Sequence, residues 1–476
     1  MKAIFIAALG VAWLAGAAAQ AQTAPAAGDT TLVLAGQLLD RPGQAARGPS
    51  TVVVRGGKVV EVRDGFATAT HGERVIDLRD QFVLPGLMDM HVHLYIPGDP
   101  LKARLEATTR DFEDRFVLAA EAARWTLEAG FTTVRDMGGD PHGMRALRDA
   151  INRGALPGPT VVFAGSMISV TGGHGDQGNG LSRDHAALAR ANSTNLCDGP
   201  ESCRRAVREQ ISMGADVIKF AATGGVNSNV AGGVGRQMFD DEMRAIVETA
   251  HMFGRKVGAH AHAKDGIEAA LRAGVDSIEH GAFTEDSTVA LFKQTGAYLV
   301  PTELAAFTAL EQARRGDRPP AVLEKAEATA KVAQANHRRA IMGGVKIATG
   351  SDSGVSKNGD NAREFKLMVA AGMTPMQVIK AATVNGADLL GRSSTIGTIE
   401  VGKDADLVAV QGSPLEDITR LERVAFVMRR GAVIKLGGQR QAFPPNPSSE
   451  AKTVALGDNA GRAELALVFD DPDEAY

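Results

Sequence analysis

Leu87-Met88-Asp89-Met90-His91-Val92-His93 is an apolar run that ends in two histidines one residue apart. In an extended strand, residues i and i+2 point to the same side. Both imidazoles then face one way, close enough to hold a single borderline cation such as Zn2+. One His-x-His pair is a weak sign, more often incidental than a ligand pair. Its place at the end of an apolar strand makes the following strands worth reading for partners.

With Val83–His93 as the first, eight stretches read as strands: Thr132–Met137, Thr160–Ile168, Val217–Thr223, Lys256–His262, Ser277–Gly281, Ala297–Pro301 and Lys346–Asp352 follow. Helical stretches separate them, among them Leu118–Ala129, Glu201–Met213, Asp240–Phe253 and Leu323–Met342. Strict alternation of this kind predicts an α/β fold, a (β/α)8 TIM barrel over residues 85–392. The flanks differ. Thr31-Leu32-Val33-Leu34-Ala35 and Thr51-Val52-Val53-Val54 near one end read as short strands between turn signals, as do Ala405–Val410 and Ala425–Arg429 near the other. One small β-sandwich domain built from both chain ends, residues 30–84 and 393–445, accounts for them.

In a (β/α)8 barrel the chemistry sits at the C-terminal ends of the strands. Val217-Ile218-Lys219 puts a lysine at the end of a run that should be buried, where an unpaired ammonium is costly. Burial lowers the lysine pKa, and a neutral amine can add CO2 to become a carbamate whose two oxygens bridge two cations. Val257-Gly258-Ala259-His260-Ala261-His262 gives a second His-x-His, Ser277-Ile278-Glu279-His280 one more histidine, and Gly350-Ser351-Asp352 a carboxylate. Five of the eight strands thus end in a metal-binding type, in the order His-x-His, Lys, His, His, Asp. Independent satisfied polar residues at one rim explain that order poorly. His142, His185 and His251 fall on loops or helix faces and read as structural.

The chain has 476 residues, enough for a barrel of about 250–400 residues and a companion domain. Its net charge of −4 carries no electrostatic footprint for nucleic acid or an anionic membrane. Lys2, the apolar Ala3–Gly16 and Ala19-Gln20-Ala21 read as a signal peptide over residues 1–21, placing the protein in the periplasm or outside the cell. In such a compartment Cys197 and Cys203 are expected to form a small disulfide loop. Residues 446–476 read as a loosely attached tail.

The ligand order, Pro85–His93 and Gly397–Val408 (GTIEVGKDADLV) together resemble the amidohydrolase superfamily over residues 30–437. Gly214–Lys219, His260-Ala261-His262 and Gly274–Gly281 resemble its imidazolonepropionase-like group, which includes Xaa-Pro dipeptidases, carboxypeptidase-type enzymes and ochratoxin-degrading amidohydrolases; the likeness to the last kind is closest. The resemblance implies two divalent ions, Zn2+ by type. His91, His93 and Asp352 would hold the first, His260 and His280 the second, with carboxylated Lys219 as the bridge. It implies a homo-oligomer, an octamer among the possibilities. True imidazolonepropionases lack the bridging lysine, so Lys219 speaks against that activity.

The implied reaction is amide hydrolysis of an N-acyl amino acid or dipeptide, ochratoxin A included. A Xaa-Pro dipeptidase or cyclic amidase is the alternative on the same scaffold. Metal-acidified water attacks, and Asp352 acts first as base and then as acid. His174, in Thr171-Gly172-Gly173-His174, is either an oxyanion donor or an exposed loop histidine. His262 matches no ligand position and faces substrate. With Arg236 and the Gly224-Gly225 loop it is a candidate for the leaving carboxylate.

Overall fold

A computed structural model describes residues 30–443 apart from 71, 192, 229, 231 and 319; the expected signal peptide and the tail at 446–476 lie outside the described residues. Four strands open the chain, β1 (Thr30–Leu38), β2 (Ser50–Arg55), β3 (Lys58–Asp64) and β4 (Arg74–Pro85). Eight follow: β5 (Leu87–Val92), β6 (Phe131–Asp136), β7 (Thr160–Phe163), β8 (Val217–Ala221), β9 (Lys256–Ala261), β10 (Ser277–His280), β11 (Tyr298–Val300) and β12 (Lys346–Ile347). Four close it: β13 (Leu407–Gln411), β14 (Phe426–Arg429), β15 (Ala432–Leu436) and β16 (Gln439–Arg440).

The first and last groups meet in one eight-stranded sheet, ordered β16-β15-β14-β13-β4-β1-β2-β3. The join is an antiparallel ladder from Leu407↔Pro85 to Gln411↔Gln81. Alternating apolar residues from both chain ends, Val33, Val52, Leu78, Val83, Leu407 and Phe426 among them, bury one shared core. The strands form one hydrogen-bonded sheet, whose β2–β3 turn touches the segment entering β13 and the β14–β15 turn. Ala405 N donates to Gly57 O and Val59 N to Lys403 O, both at 2.9 Å. Gly57, at φ 76°, is what lets the turns touch: a Cβ there would lie 2.8 Å from Arg430 O.

Strands β5–β12 are parallel, in the orders β5-β6-β7 and β12-β11-β10-β9-β8. Backbone hydrogen bonds cross both gaps between these sheets. Ile168 N donates to Lys219 O and Ala221 N to Ile168 O, each at 2.9 Å. Met90 N donates to Thr349 O, Asp352 N to His91 O and His93 N to Ser353 O, each at 2.7 Å. Helices between the strands cover their outer side, and Phe131, Phe163, Ile218, Ile246 and Phe292 are among the buried residues of that layer.

Three expected strands are shorter than read. Val83–His93 breaks at Gly86, where a Cβ would sit 2.2 Å from Thr132 Oγ1 and where the chain passes from the eight-stranded sheet to the parallel strands. Thr160–Ile168 loses regularity at Gly165, which has φ 70°. Lys346–Asp352 is regular only to Ile347, and Asp352 at its far end adopts φ 52°. The helix Glu303–Arg314, outside the stretches named from the sequence, packs beside Pro320–Met342. Cys197 and Cys203 are joined in a disulfide. No helix of the described residues is long and apolar enough to cross a membrane.

Candidate metal centre

Strand ends bring the predicted ligands to one place. His91 Nδ1 lies 2.9 Å from Glu279 Oε2. An ionised carboxylate only accepts, so Nδ1 carries the proton and Nε2 keeps its lone pair. His93 Nδ1 donates to Gly138 O at 2.7 Å, again leaving Nε2 free. The two Nε2 atoms converge on Asp352 Oδ1, at 3.6 Å and 3.3 Å. These three side chains form one group whose ligand atoms all lie within 4.8 Å of one another, and His260, His262 and His280 form another. The groups adjoin, with the His91 and His280 rings 5.0 Å apart. Lys219 Nζ is 3.3 Å from His91 Nε2.

In the second group, lone pairs are again set by outer partners. Thr302 Oγ1 donates to Pro301 O at 2.8 Å, so it accepts from His280 Nδ1 at 2.7 Å and leaves His280 Nε2 open. His260 Nε2 donates to Gly224 O at 3.3 Å and leaves Nδ1. His337 Nε2 donates to His280 O at 2.6 Å, while its Nδ1 meets Glu303 Oε1 at 2.7 Å. His280, Thr302 and Asp352 are three of the four non-glycine residues with positive φ among the described residues. Such backbone persists only where surroundings over-determine it.

Charge follows burial. Burial, with the Lys219 charge, pulls the His91 pKa down to about 4. Burial also takes His174 to about 3 and His262 to about 4, and puts His260 and His280 well below the ordinary value. For His93, burial works downward, but the hydrogen bond and charge of Asp352 win and raise it. Asp352 is held low against burial by His91 and His93. Burial lowers Lys219 to about 8, against the upward pull of Glu279 and Asp352. The result is a nest of imidazoles, five held neutral by burial and His93 drawn toward its charged form by Asp352, beside one carboxylate; once a cation takes the place of that proton, this is a donor set divalent cations bind.

A cavity of about 690 Å³ opens over this cluster, lined by His91, His93, His174, Lys219, His260, His262, His280 and Asp352 among others. That is within the range of about 300–1,000 Å³ for small-molecule sites. His174 is no exposed loop histidine. Its ring lies 4.2 Å from that of His260, and its Nδ1 is buried without a partner. His262 stacks on His280 at 5.0 Å, and its Nδ1 also lacks a partner; the ligand-atom grouping places it with His260 and His280, closer to that pair than a purely substrate-facing role required. Arg236 is not among the lining residues. Its Nε donates to Met238 O at 2.7 Å and its Nη2 pairs with Asp240, so the turn before helix Asp240–Met252 uses it. The Gly224-Gly225 loop does reach the cluster: a Cβ on Gly225 would lie 2.2 Å from the His174 ring.

Sequence reading missed the outer layer. Glu279 binds His91 and is held by Arg135 Nη2 at 2.8 Å and Ser277 Oγ at 2.6 Å. Burial opposes its ionisation, yet Arg135 and His91 bring its pKa to about 2. Asp89 accepts from His91 N and Ser351 N, each at 3.0 Å, and from Asn361 Nδ2 at 2.8 Å, tying β5 to the turn that presents Asp352. A charged residue inside a short apolar strand, as in Thr133-Val134-Arg135 or Ile278-Glu279, was the available signal.

An α/β frame with this donor set defines a metal-dependent hydrolase. The chain matches the Amidohydrolase family over residues 82–435 and belongs to it. It is a hydrolase of carbon–nitrogen bonds with a TIM-barrel-type fold. It is 30% identical over 429 residues to the ochratoxinase of Aspergillus niger, covering 85% of this chain and 86% of that protein. A crystal structure of a Xaa-Pro dipeptidase with methionine in its active site superposes with TM-score 0.80 at 38% identity, covering 85% of this chain and 100% of the other. A prolidase complexed with N-methylphosphonate-L-proline follows at 0.78 and 31%, covering 87% and 100%.

Proposed function

We propose that this chain cleaves the amide bond of N-acyl amino acids or dipeptides in a carboxypeptidase-like reaction, ochratoxin A to ochratoxin alpha and phenylalanine within its range. The carrying observation is that two three-ligand groups adjoin at one cavity floor beside a buried lysine. His91, His93 and Asp352 would hold one divalent cation, His260 and His280 a second, with Lys219 carboxylated between them and Zn2+ the fitting ion. The frame is read as a (β/α)8 barrel, supported by the backbone hydrogen bonds across both gaps.

When bound, the cations supply an acidified water and polarise the scissile carbonyl. Asp352 Oδ1 faces the cavity and is held ionised by His91 and His93, so it can accept the proton of the attacking water. It then delivers that proton to the leaving nitrogen. His174 and His262, each with an unsatisfied Nδ1, offer hydrogen bonds to the acyl oxygen or the leaving carboxylate. The dipeptidase and prolidase neighbours favour a second reading, cleavage of Xaa-Pro dipeptides, on the same residues.

Amino-acid release should be followed across N-acyl amino acids and Xaa-Pro dipeptides, with metal content measured on the same sample. Release that depends on metal is expected. A panel without turnover in the metal-loaded protein would reject the amidase reading. Lys219→Ala should lose metal and activity; a fully active variant with two bound ions would refute the bridge.

A further inference from the structure

Two helices roof one side of the cavity, Glu303–Arg314 and Pro320–Met342, and apart from His337, which faces the histidine cluster, the residues they turn toward it are small. Ala305, Ala306 and Ala309 share one helix face, as do Ala326, Thr329 and Ala333 at the spacings i, i+3 and i+7. All but Ala306 are buried, and Ala306 is partly exposed. Arg318, which lines the cavity beside this wall, is committed elsewhere: its Nε and Nη2 both donate to Gln312 Oε1, at 3.1 and 2.7 Å, and Gln312 Nε2 in turn holds Gly98 O and Val355 O at 3.0 and 3.1 Å. That strap anchors the roof to the loops beside His93 and Asp352. One group on the wall is left wanting. Thr329 lines the cavity, is 2% exposed, and its Oγ1 has no hydrogen-bond partner.

Alanines facing an empty volume leave apolar surface that an apolar ligand group would cover. A buried hydroxyl without a partner is destabilising unless a ligand atom meets it. We propose that the roof is a side-chain pocket for a bulky uncharged group of the substrate, aromatic or branched, carrying a polar atom that pairs with the Thr329 hydroxyl. This deepens the amide-hydrolase reading and rests on it for the reaction, though not for the pocket. The pocket selects against small substrates because they leave the alanine wall uncovered.

Ala306→Leu tests this, since its added carbons enter cavity space and spare the core. The ratio of kcat/KM for N-benzoyl-phenylalanine to that for N-acetyl-glycine should fall at least about tenfold, the scale of a few methylenes in an apolar pocket. Calorimetry with two uncleavable sulfonamides, benzenesulfonyl-phenylalanine and methanesulfonyl-glycine, gives a reading independent of turnover. The wild type should bind the larger at least tenfold tighter, and Ala306→Leu should erase the preference. Thr329→Val should raise the melting temperature and weaken binding of 4-hydroxybenzenesulfonyl-phenylalanine, whose ring carries a polar atom, more than that of benzenesulfonyl-phenylalanine. If the wild type hydrolyses nothing yet shows the binding preference and loses it in Ala306→Leu, the amidase reading fails and the pocket stands. If hydrolysis occurs but Ala306→Leu leaves both ratios unchanged, or lowers both ligands equally, the pocket is overturned. A Thr329→Val protein that binds 4-hydroxybenzenesulfonyl-phenylalanine as well as wild type would remove the hydroxyl from the pocket.

Discussion

His280 and Asp352 hold φ angles of 72° and 52°, conformations that cost a non-glycine residue on the order of 1–3 kcal/mol. Interlocking partners hold them there: Thr302 and His337 on His280, and Asp89, Ser351 and Asn361 around Asp352. Asp352→Asn keeps the shape and removes the base. It should lower kcat by about 10²–10⁴-fold while the melting curve stays near wild type; near-native turnover would take Asp352 out of proton transfer. Glu279→Gln strips the charge that fixes His91 and leaves Arg135 buried without its counter-ion. Metal affinity should drop about 10–100-fold in a competition titration, with stability reduced by about 3–5 kcal/mol. Unchanged affinity would show that His91 needs no such orientation. Gly225→Ala drives a methyl into the His174 ring. A large loss of kcat with the far-ultraviolet spectrum retained is expected, and full activity would separate His174 from catalysis.

Strand ends, as elements, are pinned by side chains that sit beneath the chemistry. Asp276 precedes β10 and accepts from Val257 N, His251 Nε2 and Lys256 Nζ, each at 2.8 Å, so one carboxylate sets the register of β9 against β10. Burial would raise its pKa, but Lys256, His251 and the Val257 amide bring it below 3.8. A carboxyl depressed in the fold stabilises it above the unfolded pKa, and that contribution fades as pH falls through the folded one. Asp276→Asn should therefore melt below wild type at pH 7, by roughly 1–3 kcal/mol of stability. The gap should close as pH is taken below 3.8. A gap constant with pH would mean the charge is not what matters. At this scale the strands were legible from hydrophobic runs, whereas their ends were not. Gly86 parts β4 from β5 where it packs on Thr132, and Asp352 is presented by a turned backbone beyond β12, neither of which a local pattern displays.

Across the whole molecule, six buried or half-buried imidazoles, among them His91, His260 and His280, gather ring nitrogens around one cavity, beside Lys219 and Asp352. Cations that bind this folded cluster and not the unfolded chain stabilise it by about 2.7 kcal/mol at a hundred times their dissociation constant. Chelation should lower the melting temperature and added Zn2+ should restore it. A melting temperature indifferent to both would contradict a metal centre built into the fold. The eight-stranded sheet works at the same scale: β4 and β13 are neighbours in space though more than three hundred residues apart in sequence.

His91, His93, Lys219, His260, His280 and Asp352 could be picked out as candidates from the sequence because each lies in or just after a recognisable apolar run, and strand periodicity is a local property. The frame was legible for the same reason, through the alternation of strand and helix. Tertiary structure alone decided the rest. Whether Arg236 reaches the cavity, how the terminal strands are ordered in one sheet, and which residues aim each imidazole depend on partners far along the chain, such as Glu279 for His91 and Thr302 for His280. A hydrogen bond between distant residues leaves no periodic trace, so only the folded chain discloses it.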